Sequence, residues 1–276
     1  MAITAADVNK LRMMTGAGMM DCKKALEEAN GDFEGAVDIL RKKGQKVSAS
    51  RAGREAAEGV VATALTADKK TGIIIALNCE TDFVAKNADF SAQAEKFANL
   101  ALDKQPASLE ALLALELEGR PVSEHLTDMV GKIGEKIEIS RYEKVSGEVV
   151  VDYIHLNKKV GVLVALNRAG EQALMAGKDV TMQIAAMNPV ALDKDGVSED
   201  TLRREMDIAR EQARAEGKPE TMLDKIAEGK VNKFYKESTL LNQEFVKDNS
   251  KSIRQMLDGV EKGLTVTAFK RVEIGK

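Results

Sequence analysis

Tryptophan is absent, and the 276 residues include only two cysteines, two histidines, three tyrosines and four prolines. Cys22 and Cys79 each lie in apolar-rich surroundings without a His/Cys cluster, so they make no metal site and read as buried free thiols of a reducing compartment. No uninterrupted apolar stretch approaches the ~18 residues that span a bilayer. The first residues also lack the charged-then-apolar order of a signal peptide. A cytoplasmic protein with no membrane partner is expected. Neither charge sign is in excess: 41 Lys and Arg face 44 Asp and Glu, a net of −3, which leaves no global basic field for nucleic acid. The phosphate-cradling Gly-x-x-x-x-Gly-Lys-Ser/Thr frame is missing, because Gly131-Lys132, Gly177-Lys178 and Gly229-Lys230 stand outside it, so no direct nucleotide binding is expected. Gly16-x-Gly18 lies between helices and lacks the third glycine of a dinucleotide fingerprint. No cofactor and no metal are implied.

What is present is a folded composition, 44% apolar and 31% charged, long enough for two or three compact units. Three short helices are predicted over residues 4–44. Thr4 caps the first, with Val8 and Leu11 inward, and the second runs from Met19 to Ala29. Asp32 caps the third, Phe33 to Lys43, which Gly44 is expected to end. Met19 and Met20 diverge by about 100° on a helix, so one of them should be exposed. An exposed thioether beside a glycine turn suits a protein-binding surface or is a surface methionine without a role. Between Arg41 and Arg54 lie six basic residues and no acidic one. With no aromatic residue to stack bases, and with Ser, Gly and Ala throughout, this run reads as a solvated linker over 46–56 rather than a nucleic-acid patch.

An internal repeat follows. Residues 59–78 and 148–167 align without gaps at an offset of 89, matching Val60-Val61 to Val149-Val150, Gly72 to Gly161, and Ala76-Leu77-Asn78 to Ala165-Leu166-Asn167. Each copy reads as strand, hairpin with a lysine pair, strand and helix, with a later third strand near Ile137 and Ile139 or near Leu264, Val266 and Ala268. Period-two alternation in those third strands implies antiparallel sheets with one face covered by helices. The fold class is α+β: a three-helix head over 1–45, a core of two copies at 57–146 and 147–276, and an inserted helical hairpin over about 197–237. The hairpin's thin seam of Leu202, Met206, Ala209 and Ala213 has coiled-coil spacing.

One stretch holds the candidate chemistry. Asn78 to Asn87 turns from the apolar run Ile73–Leu77 toward the next helix, with Thr81, Asp82, Phe83 and Val84 at its centre. Phe83 either folds back as the first core residue of that helix or points outward with Asp82 as an interface anchor. Pattern alone leaves both open. Catalysis would need Cys79 as nucleophile and His155 as base. The two fall at opposite ends of strands on different copies, so no enzyme is expected.

Three segments carry a family resemblance: Thr15-Gly16-Ala17-Gly18-Met19-Met20-Asp21-Cys22-Lys23-Lys24-Ala25-Leu26, Asn30-Gly31-Asp32, and Thr81-Asp82-Phe83-Val84-Ala85-Lys86. In this order they resemble the bacterial translation elongation factor Ts family, and the layout agrees over essentially the whole chain. The resemblance implies a ubiquitin-associated-like head and a guanine-nucleotide exchange factor that binds elongation factor Tu in its GDP-bound and nucleotide-free forms. It implies that Phe83 wedges into the partner's GTPase domain while Asp82 disturbs its magnesium site. By the same resemblance Arg12, Met19 and Met20 touch that domain, His155 faces another, and the hairpin serves self-association in some members. Asn9 stands where some members have a lysine. Some members also continue past the last strand with a helical module, whereas this sequence ends at Lys276 soon after Val272-Glu273-Ile274, so contacts of that module are not carried over. The alternative is a ribosome- or RNA-associated helical adaptor resting on residues 41–54 and the hairpin, which predicts salt-sensitive RNA binding.

Overall fold

A computed structural model describes residues 3–275 of the chain. Three helices come first: α1 (Ala5–Thr15), α2 (Met19–Glu28) and α3 (Phe33–Arg51). Thr4 closes a capping box with Asp7, and Asp32 caps α3 through Gly35 N–H. Val8, Leu11, Cys22, Ala25, Leu26 and Ala36 form their shared core. Gly44 does not end α3, which continues to Arg51 and takes in half of the stretch read as a linker. The reason is packing: a Cβ at Gly131 would lie 2.8 Å from Gly44 Cα, so two glycines let α3 approach the later helix α7 (Val122–Ile133) backbone to backbone. Glycine in a helix interior costs about 1 kcal/mol against alanine, and this close approach offsets it. Met19 and Met20 are both exposed, where one was expected to be.

The first copy contains β1 (Glu58–Leu65), β2 (Thr71–Cys79), the single turn α4 (Asp82–Ala85), α5 (Ala88–Lys104), α6 (Leu109–Ala114), the two-residue strands β3 (Glu116–Leu117) and β4 (Arg120–Pro121), α7, and β5 (Glu138–Ser146). The second contains β6 (Val149–Ile154), β7 (Val160–Leu166), α8 (Glu171–Met187), α9 (Glu199–Ala215), α10 (Leu223–Ser238), a short ribbon of β8 (Glu244–Phe245) and β9 (Asp248–Ser252), α11 (Ile253–Val260), and β10 (Val266–Glu273). The sheets are antiparallel, ordered β1-β2-β5 and β10-β7-β6, so the second hairpin strand is central in each. The fold is therefore mixed, with small antiparallel sheets and many helices.

Helices cover one face of each sheet, and the second face is covered by the other sheet. Val60, Ala62, Ile73, Ile75 and Leu77 face α5 and α7, while Val162, Val164 and Leu166 face α8 and α11. The alternate residues Val61, Ile74, Ala76, Val150, Leu163 and Ala165 pack the two sheets on each other. The order of layers is helix, sheet, sheet, helix.

The contacts between copies obey the 89-residue offset. Val61 N–H donates to Lys158 O at 2.8 Å, and Val150 N–H donates to Lys69 O at 2.6 Å. Those lysines, at equivalent turn positions, share the left-handed backbone, with φ of 55° and 56°. Thr63 Oγ1 donates to Asp152 Oδ2 at 2.5 Å, joining two equivalent positions to each other. A Cβ on Gly72 would meet Val150 Cγ1 at 2.8 Å, and one on Gly161 would meet Val61 Cγ1 at 2.5 Å. The copies are thus related by an approximate twofold axis between the sheets.

Helices α9 and α10 pack together through buried Ala209, Ala213, Leu223 and Ala227. Arg210–Asp224 (2.9 Å) pairs across them, and Arg214 pairs with Glu220 in the connecting turn (2.7 Å). No helix among the described residues is long and apolar enough to cross a membrane.

Candidate functional site

The copies diverge where β2 and β7 end. After Asn167 the second copy reaches α8 through residues 168–170, whereas the first, after the equivalent residues 79–81, inserts α4 and residues 86–87 before α5 begins. The insertion is entered through a rigid turn. Glu135, just beyond α7, accepts from Glu80 N–H at 3.1 Å, Thr81 N–H at 3.0 Å and Thr81 Oγ1 at 2.6 Å. The Glu80 carboxylate returns the contact, accepting from Lys136 N–H at 2.6 Å. It also takes Arg51 Nη1 at 3.1 Å, from the last residue of the head helix α3, and Arg54 Nη1 at 3.0 Å, from just beyond it. The Lys136 N–H bond, followed by the two arginines, holds the Glu80 carboxyl below its usual range. Beneath the turn, Cys79 is buried and its thiol donates to Thr81 O at 3.2 Å; burial and then the Glu135 charge push it up to about 12.

On this support Phe83 points away from the core. The residue is 83% exposed, while Ala85 and Phe90 pack into the first-copy core in its place. Folding back is thereby ruled out. Asp82 Oδ2 accepts from Lys86 Nζ at 2.6 Å, and that bond holds the carboxyl below its ordinary value, still ionised and half open to solvent. Val84 is half-buried against the first-copy core.

A groove beside α4 continues this surface onto the second copy. It is lined by Asp82, Lys86 and Ser91 on one side and Leu156, Asn157 and Lys158 on the other. Lys158 Nζ reaches Ser91 Oγ at 3.3 Å, and Lys159 pairs with Glu58 at 2.6 Å. His155 opens the same β6–β7 turn, exposed, with Nδ1 2.9 Å from the Tyr153 hydroxyl. Cys79 and His155 therefore engage different groups, Thr81 O and Tyr153. Leu156, 96% exposed, was missed at the sequence level, because a leucine in a turn carries no signal of its own there. Arg12, Met19 and Met20 are exposed on the head. They connect to the turn through α3, whose Arg51 meets Glu80, and through α7, against which the head lies.

Among the described residues no group of three or more His, Cys, Asp and Glu could hold a metal ion. The basic run is partly consumed within the fold, since Lys43 pairs with Asp21, and Arg51 and Arg54 with Glu80. A surface that sets an outward ring beside an ionised carboxylate is suited to recognising another macromolecule.

Comparison with known proteins bears on which one. The family model described as "Elongation factor TS" matches residues 80–276. The chain is 62% identical over 274 residues to "Elongation factor Ts" of Cytophaga hutchinsonii, covering 99% of each. It is 57% identical over 276 residues to that of Amoebophilus asiaticus, covering all of both. Against that of Clostridium perfringens the identity is 45% over 283 residues, covering 99% of this chain and 93% of the relative.

Proposed function

The chain belongs to the elongation factor Ts family, and from that premise we propose how its exposed turn would act on elongation factor Tu. Membership implies a guanine-nucleotide exchange factor of translation elongation, cytoplasmic, with no bond-making chemistry of its own. In our reading Phe83 is the wedge that enters the GDP-bound partner, and Asp82 brings a negative charge against its magnesium and phosphate site. Thr81 and Val84 complete that contact. Arg12, Met19 and Met20 on the head and His155 on the second copy extend it over the same partner. The head is then of the ubiquitin-associated type, and the α9–α10 pair is the surface open to self-association.

The observation that carries this reading is the 83% exposure of Phe83 on a turn clamped at its base. An aromatic ring held in water gains free energy when a partner covers it, and rigid presentation keeps the entropic cost of that contact low. The exchange itself is linkage. A factor that binds the nucleotide-free partner more tightly than the GDP-bound one lowers GDP affinity by the same ratio. The charge on Asp82 repels bound phosphate at that site, which favours the nucleotide-free partner.

Release of fluorescent GDP from elongation factor Tu tests the proposal, using wild type, Phe83→Ala and Asp82→Ala. Wild type should accelerate release, and Phe83→Ala should weaken productive association by about 2–4 kcal/mol, roughly 30- to 1000-fold. Equal acceleration by wild type and Phe83→Ala would remove the wedge while leaving the exchange activity. No acceleration by folded wild type would remove both.

A further inference from the structure

The turn that carries Asp82 and Phe83 is too short to hold itself. α4 is one helical turn, and Thr81, in the position of its N-cap, makes no capping bond to it. Its hydroxyl is committed instead to Glu135 Oε1, 2.6 Å away. Isolated helices of this length do not persist in water, so the orientation of residues 82 and 83 has to come from outside the helix.

It comes from a reciprocal bracket. Glu135 Oε2 accepts the N–H groups of Glu80 and Thr81, and the Glu80 carboxylate accepts the N–H of Lys136, the residue after Glu135. Each segment therefore caps the backbone of the other through a carboxylate. The spacing of 54 to 56 residues between partners makes this a tertiary bond set, not a local turn. Glu80 also gathers Arg51 from the end of α3 and Arg54 from just past it, so one carboxylate touches the head helix, the α7–β5 junction and the start of the turn. The Glu80 side chain is 16% exposed and that of Arg51 27%, which shields this junction from solvent.

We propose that Glu135 and Glu80 are positioning residues for exchange: Glu135 fixes the entry into α4 so that Phe83 and Asp82 meet the partner in one orientation, and Glu80 ties that orientation to the seating of the head. Neither side chain has to touch the partner. The inference rests on the exchange-factor reading above and adds to it the groups that set its geometry. Contacts that must coincide at a reacting or rearranging centre lose effectiveness steeply when displaced by about 1 Å.

The variants follow from the donor pattern. Glu135→Ala removes all three bonds. Glu135→Gln keeps a carbonyl oxygen for the two N–H groups, and its amide can donate to Thr81 Oγ1, because a hydroxyl also accepts. Both are measured in full-length protein, well below the thermal midpoint of each, with GDP release followed over a range of factor concentrations. Amide hydrogen exchange at residues 81–86 is recorded on the same samples.

Glu135→Ala should lower the maximal rate of release by about tenfold or more, with faster amide exchange confined to the turn, while Glu135→Gln stays within about threefold of wild type on both measures. A structural role alone would lower the thermal midpoint of Glu135→Ala without changing the maximal rate of folded protein. That result, or a Glu135→Gln as impaired as Glu135→Ala, overturns the proposal and leaves the exchange reading intact. Failure of wild type itself to accelerate release removes the exchange reading, and this inference with it.

Discussion

Gly161→Ala is the sharpest test of how the two copies are joined. Gly161 lies on the central strand β7, paired with Ile154 on one side and Val272 on the other, so its backbone cannot drift without disturbing two ladders. A methyl there would sit 2.5 Å from Val61 Cγ1 and 2.9 Å from Ile74 Cδ1, against the roughly 3.5–4.0 Å of a relaxed carbon contact. Val61 and Ile74 are buried, and valine's branched Cβ leaves it little rotamer freedom to retreat. Overpacking of this kind costs about 1–3 kcal/mol, from which the lower entropy of the unfolded alanine chain returns about 0.4–1 kcal/mol. A net loss of about 1–2 kcal/mol lowers the thermal midpoint by roughly 2–8 °C in a chain of this size class. The diagnostic step is Val61→Ala, which removes the methyl that clashes. Alone it costs about 1–2 kcal/mol as a cavity. Combined with Gly161→Ala the two should be non-additive, the double variant being more stable than the sum of losses predicts by about 1 kcal/mol or more. Urea and thermal unfolding of the four proteins supply the cycle. Strict additivity, or a Gly161→Ala as stable as wild type, would refute the close approach of the sheets. The twofold relation adds a second cycle, Gly72→Ala with Val150→Ala, which should behave alike.

Three further outcomes follow. Lys86→Ala should raise the Asp82 carboxyl toward its ordinary value, because the Lys86 bond is what lowers it. That ion pair is complete above the ordinary carboxylate range and is lost as pH falls through the lowered value, so exchange should fail at higher pH in Lys86→Ala than in wild type; coincident acid limbs would contradict this. Cys79, with its thiol pushed up to about 12, should not react with a thiol reagent at pH near neutrality until denaturant is added, and fast native labelling would show the turn opening. Gly131→Val should push α3 off α7, because even a Cβ lies 2.8 Å from Gly44 Cα. Limited proteolysis should then cut within residues 52–57 in the variant and spare wild type, and equal resistance would mean the helices can separate at no cost.

Much of the architecture could be read from the sequence because its signals are local. The gapless match of residues 59–78 to 148–167 announces the duplication, and the alternation of Ile137 with Glu138 and Ile139 announces an antiparallel strand. What failed was tertiary. Gly44 looks like a stop when read alone, and only the approach of Gly131, 87 positions later in the chain, explains a helix that runs through it. The unbroken apolar run Ile73–Leu77 hinted at burial on both faces, yet nothing in it says that the second cover is another copy of the same sheet. Within the site, the type of residue at Asp82 and Phe83 was visible, and the direction of Phe83 was not, since an aromatic after a strand fits a core equally well. Glu135 gave no sign at all: one glutamate in a charged segment becomes significant only when it is found accepting three bonds from residues 80 and 81.

The bond between Thr63 and Asp152 has an implication for how such a core can arise. These positions correspond under the 89-residue offset and meet on the axis relating the copies. In a dimer of identical halves a residue on that axis faces itself, so two aspartates would repel and two threonines would bring no charge. Joining the halves in one chain frees each side to change alone, and a hydroxyl can then meet a carboxylate, a pairing forbidden to strict symmetry. The same freedom lets one copy keep a short connection after its central strand while the other grows a presented turn. The fused chain can thus have a front and a back, which two exchangeable subunits could not.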